Sequence, residues 1–185
     1  MIGSLRGRVI ELHPSYLLLE TAGVGYRVRT TPGVIGELKT NTDVFLYIHE
    51  NIREDAHDLF GFLKSDDMDL FQSLLSVSGV GPKVALVLLS LGGANTVRNA
   101  ILKGDITFIT SAPGVGKKMA QKIFLELKGQ LVEEETESAL DKDVRDALVG
   151  LGYSSQQAHE AIKQISPETQ DTSDRIREAL RHLSR

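Results

Sequence analysis

The sequence predicts a multidomain α+β chain: an N-terminal five-stranded β-barrel, a central all-α domain built on a repeated hairpin, and a C-terminal three-helix domain. Three observations carry this reading. Short runs of alternating β-branched and aromatic residues fill positions 1–63. Gly79-Val80-Gly81-Pro82-Lys83 returns 35 residues later as Gly114-Val115-Gly116-Lys117-Lys118, and both copies sit between helical patterns. Beyond an acidic stretch, three amphipathic stripes occupy residues 140–185.

In the first region, Ile2 to Leu12, Tyr16 to Thr21, Gly25 to Thr30, Val44 to Asn51 and Leu59 to Leu63 read as strands. His13-Pro14-Ser15 and Ala22-Gly23-Val24-Gly25 punctuate them. A short helix is expected over Gly33 to Leu38, between the third and fourth strands, and that order is the order of an OB-fold barrel. Phe45 with Tyr47, and Phe60 with Phe62, are two apart and share a strand face. Such pairs can be base-stacking platforms, but on a small barrel we expect them in the core. Between the last two strands, Asn51 to Asp58 makes a polar hairpin tip carrying Arg53, Glu54 and Asp55. Adjacent acids in a turn are ordinarily just solvated, and there is no third ligand at a metal-binding spacing.

Lys64 to Met68 is a polar boundary, with Ser65 or Asp66 expected to cap a helix through Phe71, Leu74 and Leu75. Helical patterns follow over Val84 to Leu91, Ala94 to Leu102, Ile106 to Ser111 and Lys117 to Leu131, so 64–131 reads as one α domain. At the repeat offset Leu74 and Leu88 fall on Ile109 and Ile123, and Ala85 falls on Ala120. The glycines let the main chain turn sharply and approach a ligand closely. The helix that follows each hairpin presents unpaired N–H groups, an anion site, and Lys83, Lys117 and Lys118 add positive charge. The ligand expected is a phosphate. A nucleotide loop is excluded: Ser111 stands at the first glycine of a Walker pattern and Lys118 where the magnesium-binding hydroxyl belongs. Val84 and Met119 occupy the third-glycine position of a dinucleotide fingerprint. A doubled helix-hairpin-helix is the better match.

Residues 132–139, which include Glu133-Glu134-Glu135-Thr136-Glu137, read as an acidic flexible linker. In 140–185 the stripes are Leu140, Val144, Ala147, Leu148, Leu151; Ala158, Ala161, Ile162, Ile165; and Ile176, Ala179, Leu180, Leu183. So small a domain leaves apolar residues for a partner, and Leu148, Leu151, Tyr153, Ile162, Leu180 and Leu183 are the candidates.

The formal charge of −4 argues against nucleic acid until it is divided by region. Residues 70–131 hold Lys83, Arg98, Lys103, Lys117, Lys118, Lys122 and Lys128 against Asp105 and Glu126, a balance of +5. The positive charge lies where the hairpins are, and the acidic C-terminal region is suited to a protein partner. Cysteine is absent, so disulfides and thiolate metal sites are excluded. The five histidines have no metal-binding spacing, and neither metal nor cofactor is expected. With neither a signal-peptide apolar run nor an 18-residue apolar stretch, the expected location is cytoplasmic, without a membrane partner.

The chain resembles the RuvA family of junction-binding subunits from bacterial branch-migration complexes. The likeness rests on Met1-Ile2-Gly3-Ser4-Leu5-Arg6-Gly7, Arg53-Glu54-Asp55-Ala56 with Leu59-Phe60-Gly61-Phe62, Leu75 to Lys83, and Leu148-x-x-Leu151-Gly152-Tyr153. Met119 departs from it, since relatives often carry threonine there. The resemblance implies a non-catalytic homotetramer, which a second tetramer can face across the DNA, holding an open four-way junction. It implies hairpin contacts from Gly79, Val80, Gly81, Lys83, Gly114, Val115, Gly116, Lys117 and Lys118, with Arg53 beside them. Glu54 and Asp55 become an acidic pin at the crossover. The UBA-like last domain becomes the contact to the hexameric ATPase RuvB, and the resolvase RuvC a further partner. Two other classes stay open: a helix-hairpin-helix DNA glycosylase, and a single-strand binder using the barrel.

Overall fold

The computed structural model describes residues 1–54, 56–136, 138–153, 155–166, 169 and 171–183, with the backbone alone over 132–136, 139, 155 and 156. Strands β1 (Ser4–His13), β2 (Tyr16–Thr21), β3 (Val24–Arg29), β4 (Asp43–Ile52) and β5 (His57–Phe62) close into a barrel in the order β1-β2-β3-β5-β4. Helix α1 (Pro32–Glu37) lies between β3 and β4, with the Thr31 hydroxyl accepting from the Val34 N–H at 3.3 Å. This is the expected OB order. One long strand closes the barrel: Ser4 to Arg8 pair with β4 and Arg8 to His13 with β2, with a register shift between Val9 and Glu11.

Leu5, Val9, Leu17, Leu19, Val28, Leu46, Ile48 and Leu59 fill the interior. Gly61 also faces it, and a Cβ there would lie 2.4 Å from Val28 Cγ1, so the barrel closes only because this residue has no side chain. The parity of β5 therefore sends Phe60 and Phe62 outward. They are buried all the same, because α2 (Ser65–Ser76) lays Phe71 against them at centroid distances of 5.4 and 4.9 Å. The expectation of barrel core is corrected: these two rings belong to the core of the helical region. Phe45 and Tyr47 are corrected further. They lie on the outer face of β4, edge to face at 5.1 Å, with Phe45 37% exposed, because Leu46 and Ile48 take the interior positions.

The helices α2, α3 (Pro82–Leu89), α4 (Gly93–Lys103), α5 (Ile106–Thr110) and α6 (Lys117–Thr136) share that core, which includes Leu70, Leu74, Leu88, Val97, Ile101 and Leu131. Lys64, without a side-chain cap, stands at the N-cap position expected for Ser65 or Asp66. Asp67 is used elsewhere: its Oδ1 accepts the Ala94 N–H at 2.7 Å and so caps α4 from α2.

Met1–Leu131 and Val132–Arg185 form two compact units. The expected linker is corrected at its start, since 132–136 continue α6; glutamate is a good helix former, so an acidic run alone does not end a helix. Glu137 lies outside the described residues. In the second unit, α7 (Ala139–Gly150), α8 (Ser155–Ile162) and α9 (Thr172–Leu183) pack through Val144, Leu148, Ala158, Ala161, Ile162 and Ala179. Arg175, largely buried, ties α9 to Asp141 of α7 and donates to the Thr169 carbonyl at 2.8 Å. No single helix among the described residues is long and apolar enough to cross a membrane.

Candidate nucleic-acid interface

The two glycine hairpins are built alike, atom for atom in their main-chain bonds. In the first, Val80 N–H donates to Val77 O at 3.0 Å and Ala85 N–H to Gly81 O at 3.0 Å. In the second, Val115 N–H donates to Ala112 O at 3.0 Å and Ala120 N–H to Gly116 O at 3.0 Å. Gly79 has φ +94° and Gly114 φ +86°, angles that an L side chain resists. Val80 and Val115 are buried and anchor each hairpin to the core. Around them the glycines, Lys83, Lys117 and Lys118 stay at the surface.

The first intrahelical bond of α3 is made by Ala85, so the N–H groups of Lys83 and Val84 have no carbonyl of their own helix. At α6 the same holds for Lys117, Lys118 and Met119. Neither first turn contains an acidic residue. Each site thus combines free amides, a positive helix end and a lysine, and can hold one phosphate oxygen cluster. The Ser78 N–H reaches the Glu126 carboxylate of α6 at 3.4 Å, which links the first hairpin to the helix that begins at the second. Glu126 was not singled out from the sequence; one glutamate among several in a long helix gives no signal of a contact 48 residues away.

Arg53 and Glu54 are exposed at the end of the β4–β5 hairpin, where Arg53 N–H donates to Ala56 O at 2.8 Å. Asp55 lies outside the described residues. The root of this hairpin is held by Glu50, another residue the sequence did not mark. Its carboxylate accepts from Ile2 N–H at 2.9 Å and contacts His57 Nε2 at 2.8 Å. These hydrogen bonds, the Ile2 amide first, hold its carboxyl below the usual value.

In the second unit the partner candidates separate. Leu148 and Ile162 are buried between the helices and are corrected to core residues. Tyr153, Leu180 and Leu183 are partly buried against the same core, and Leu151 is 61% exposed. No cluster of three or more metal-ligating side chains occurs among the described residues.

Family models agree with the chain in three consecutive stretches: the RuvA N terminal domain over residues 1–61, the SAM-like helix-hairpin-helix tandem over 71–128 and the RuvA C-terminal domain over 133–184. Among similar proteins, the Holliday junction branch migration complex subunit RuvA of Mycobacterium ulcerans is 42% identical over 173 residues, covering 89% of this chain and 88% of its own. The same-named subunit of Mycobacterium sp. strain KMS is 40% identical over 195 residues and all of both chains. That of Lachnospira eligens is 38% identical over 204 residues and 99% of each. The barrel, the doubled hairpin and the three-helix unit, matched in this order over essentially the full length, place the chain in the RuvA family.

Proposed function

We propose that this chain binds four-way Holliday junctions without reading their sequence and serves branch migration as the non-catalytic, DNA-holding subunit. The observation that carries the reading is the pair of matching hairpins, each with a glycine at positive φ, free amides at a helix start and an exposed lysine. Donors of this kind bond to phosphate and sugar, which fix position and carry no base identity. Two of them linked through Glu126 grip one duplex arm at two phosphate positions.

A four-fold tetramer brings one such pair to each arm, and a second tetramer can close the other side. Four copies of Glu54 and Asp55 then meet where four backbones converge, and like charges a few ångströms apart cost on the order of 1 kcal/mol or more. A continuous duplex across the centre meets that repulsion, whereas an open junction leads its strands around it. The second unit supplies the contact to the hexameric ATPase RuvB, with Leu151 the exposed apolar residue of its candidate set. The resolvase RuvC is a further candidate partner for the held junction.

A gel competition of a four-way junction against linear duplex and single strand of equal length tests this. Preference for the junction is expected. Preference for single strands selects the barrel-binder alternative, and release of a damaged base from duplex selects a glycosylase.

A further inference from the structure

Ile52 stands where an apolar side chain has no packing reason to be. On β4, Leu46 and Ile48 fill the barrel interior, and by alternation the same side of the strand then carries Glu50 and Ile52. Glu50 closes the interior at the rim, where its carboxylate is taken up by the Ile2 N–H and by His57. Ile52 is one step beyond that rim, paired with His57 across the hairpin, and belongs to neither core of the first unit. It is 68% exposed, more than any other large apolar residue of the barrel after Met1.

The position is a fixed one. The Glu50 contacts hold the hairpin just before Ile52, and the Arg53 N–H donates to Ala56 O at 2.8 Å just after it. Ile52 thus sits at the root of the turn that carries Glu54 and Asp55. Its neighbours Arg53 and Glu54 are exposed and charged, and no second large apolar side chain is exposed at this end of the hairpin among the described residues. A protein interface has an apolar patch at its centre, with the charges kept to the rim, so this setting does not suit one. The end of a DNA arm fits it better, because a terminal base pair has an apolar flat face and a polar, charged edge.

We infer that Ile52 is an apolar wedge that covers the bare face of the base pair ending an arm at the open centre of the junction. The inference rests on the junction reading, which brings this tip to the crossover. In a continuous duplex both faces of every pair are covered by neighbours, whereas the last pair of each arm loses one neighbour where four arms part. Isoleucine is among the side chains that proteins insert at opened base steps. Its role differs from that of the acids. Glu54 and Asp55 repel phosphates and act against duplex, while Ile52 makes a favourable contact that only the opened junction offers.

The test uses the full chain and a four-way junction of fixed crossover, with 2-aminopurine in the pair beside the crossover and, in a second junction, in mid-arm. Wild type should raise the crossover fluorescence, since an aliphatic contact in place of a stacked base relieves quenching, and leave the mid-arm probe unchanged. Ile52→Thr keeps the β-branch that suits a strand and removes apolar surface. It should lower junction affinity about fivefold with duplex affinity unchanged, and reduce the fluorescence rise. Ile52→Leu should retain both. Neutralising the acids instead raises duplex affinity, so the two contributions separate. Position 52 is exposed, so both variants keep the fold, which equal urea midpoints check. Unchanged junction affinity and fluorescence in Ile52→Thr overturn the wedge, as does an equal loss on junction and duplex. A wild type that does not select junctions at all refutes the underlying reading before any variant is made.

Discussion

Lys118→Gln, with Lys83→Gln as its counterpart in the other hairpin, offers a measurement that counts subunits on the DNA. Both side chains are exposed, and neither has a carboxylate partner among the described residues. Both also stand in the first turn of a helix, α6 and α3, where a cation faces the positive end of the dipole. That placement costs about 0.3–1 kcal/mol, so the variants should be as stable as wild type or slightly more so. A loss of binding is then not a loss of fold. Each phosphate neutralised contributes about 0.9 to the slope of log affinity against log salt. Removing one lysine–phosphate pair narrows the gap between wild type and variant about 3.5-fold between 50 and 200 mM salt. Removing four symmetric pairs at once changes the slope by about 3.6 and narrows the gap about 150-fold.

Fluorescence anisotropy with a labelled junction at several salt concentrations reads both quantities, with Lys142→Gln in the second unit as the control. A slope change near 3.6 supports four subunits on one junction, and a change near 0.9 supports a single engaged hairpin. An unchanged slope refutes phosphate binding by Lys118. Loss that varies with the arm sequence refutes backbone recognition.

Gly79→Ala has open space for its Cβ but φ +94°, so its cost of about 1–2 kcal/mol in urea unfolding comes from the backbone alone; Gly81→Ala, at φ −94°, should cost far less, and equal losses refute that account. Glu50 has its carboxyl lowered from 4.5 by the Ile2 amide, then by His57, so its contribution to stability is present above about pH 4.5 and is lost as pH falls through the folded value. Glu50→Gln should accordingly lower urea midpoints at neutral pH and converge with wild type in acid; a constant gap refutes it. Truncation after Thr136 keeps Leu131, which is buried in the first unit, and should preserve junction binding while abolishing stimulation by the ATPase. Glu54→Gln with Asp55→Asn should raise duplex affinity much more than junction affinity, most clearly at low salt, and an unchanged ratio refutes the pin.

The hairpins were legible because a repeat constrains itself: Val80 and Val115, Ala85 and Ala120, Leu88 and Ile123 are buried in matching positions, and the same spacing recurs with the same chemistry. The strands were legible from alternation, which reports parity along a strand. It does not report which parity faces the barrel interior. On β5 the inward residues are Leu59 and Gly61 while the outward ones are Phe60 and Phe62, so the larger side chains point the way that sequence reasoning did not assign. On β4 the same ambiguity exposed Phe45. Leu148 and Ile162 were assigned to the surface for a related reason: a domain short enough to look deficient in core still needs its largest apolar residues inside, and of the candidate set only Leu151, at the turn, is exposed. Glu50 and Glu126 act through contacts distant in sequence, which a single chain read in order does not display.

The outward phenylalanines of β5 also bear on how the molecule works. Because Phe60 and Phe62 are buried by Phe71 and not within the barrel, the strand that follows the acidic tip is packed directly onto the helix that leads into the first hairpin. His49, on the strand that precedes the tip, meets the same Phe71 ring edge-on at 5.3 Å. Both legs of the tip hairpin therefore press on α2, the helix that leads into the first glycine hairpin. On the proposed reading, in which junctions are selected by where phosphates and acids fall, a shift of a few ångströms between tip and hairpin would bring the acids onto the DNA strands, so this packing bears on selectivity as well as on stability. Burial also lowers the pKa of His49 from its usual 6.5, so its neutral form fits the folded state and the packing it contributes is weakened as pH falls below that value. The coupling of selectivity to the barrel–helix seam thus predicts that a cavity at Phe71, as in Phe71→Leu, costs junction-over-duplex preference as well as stability.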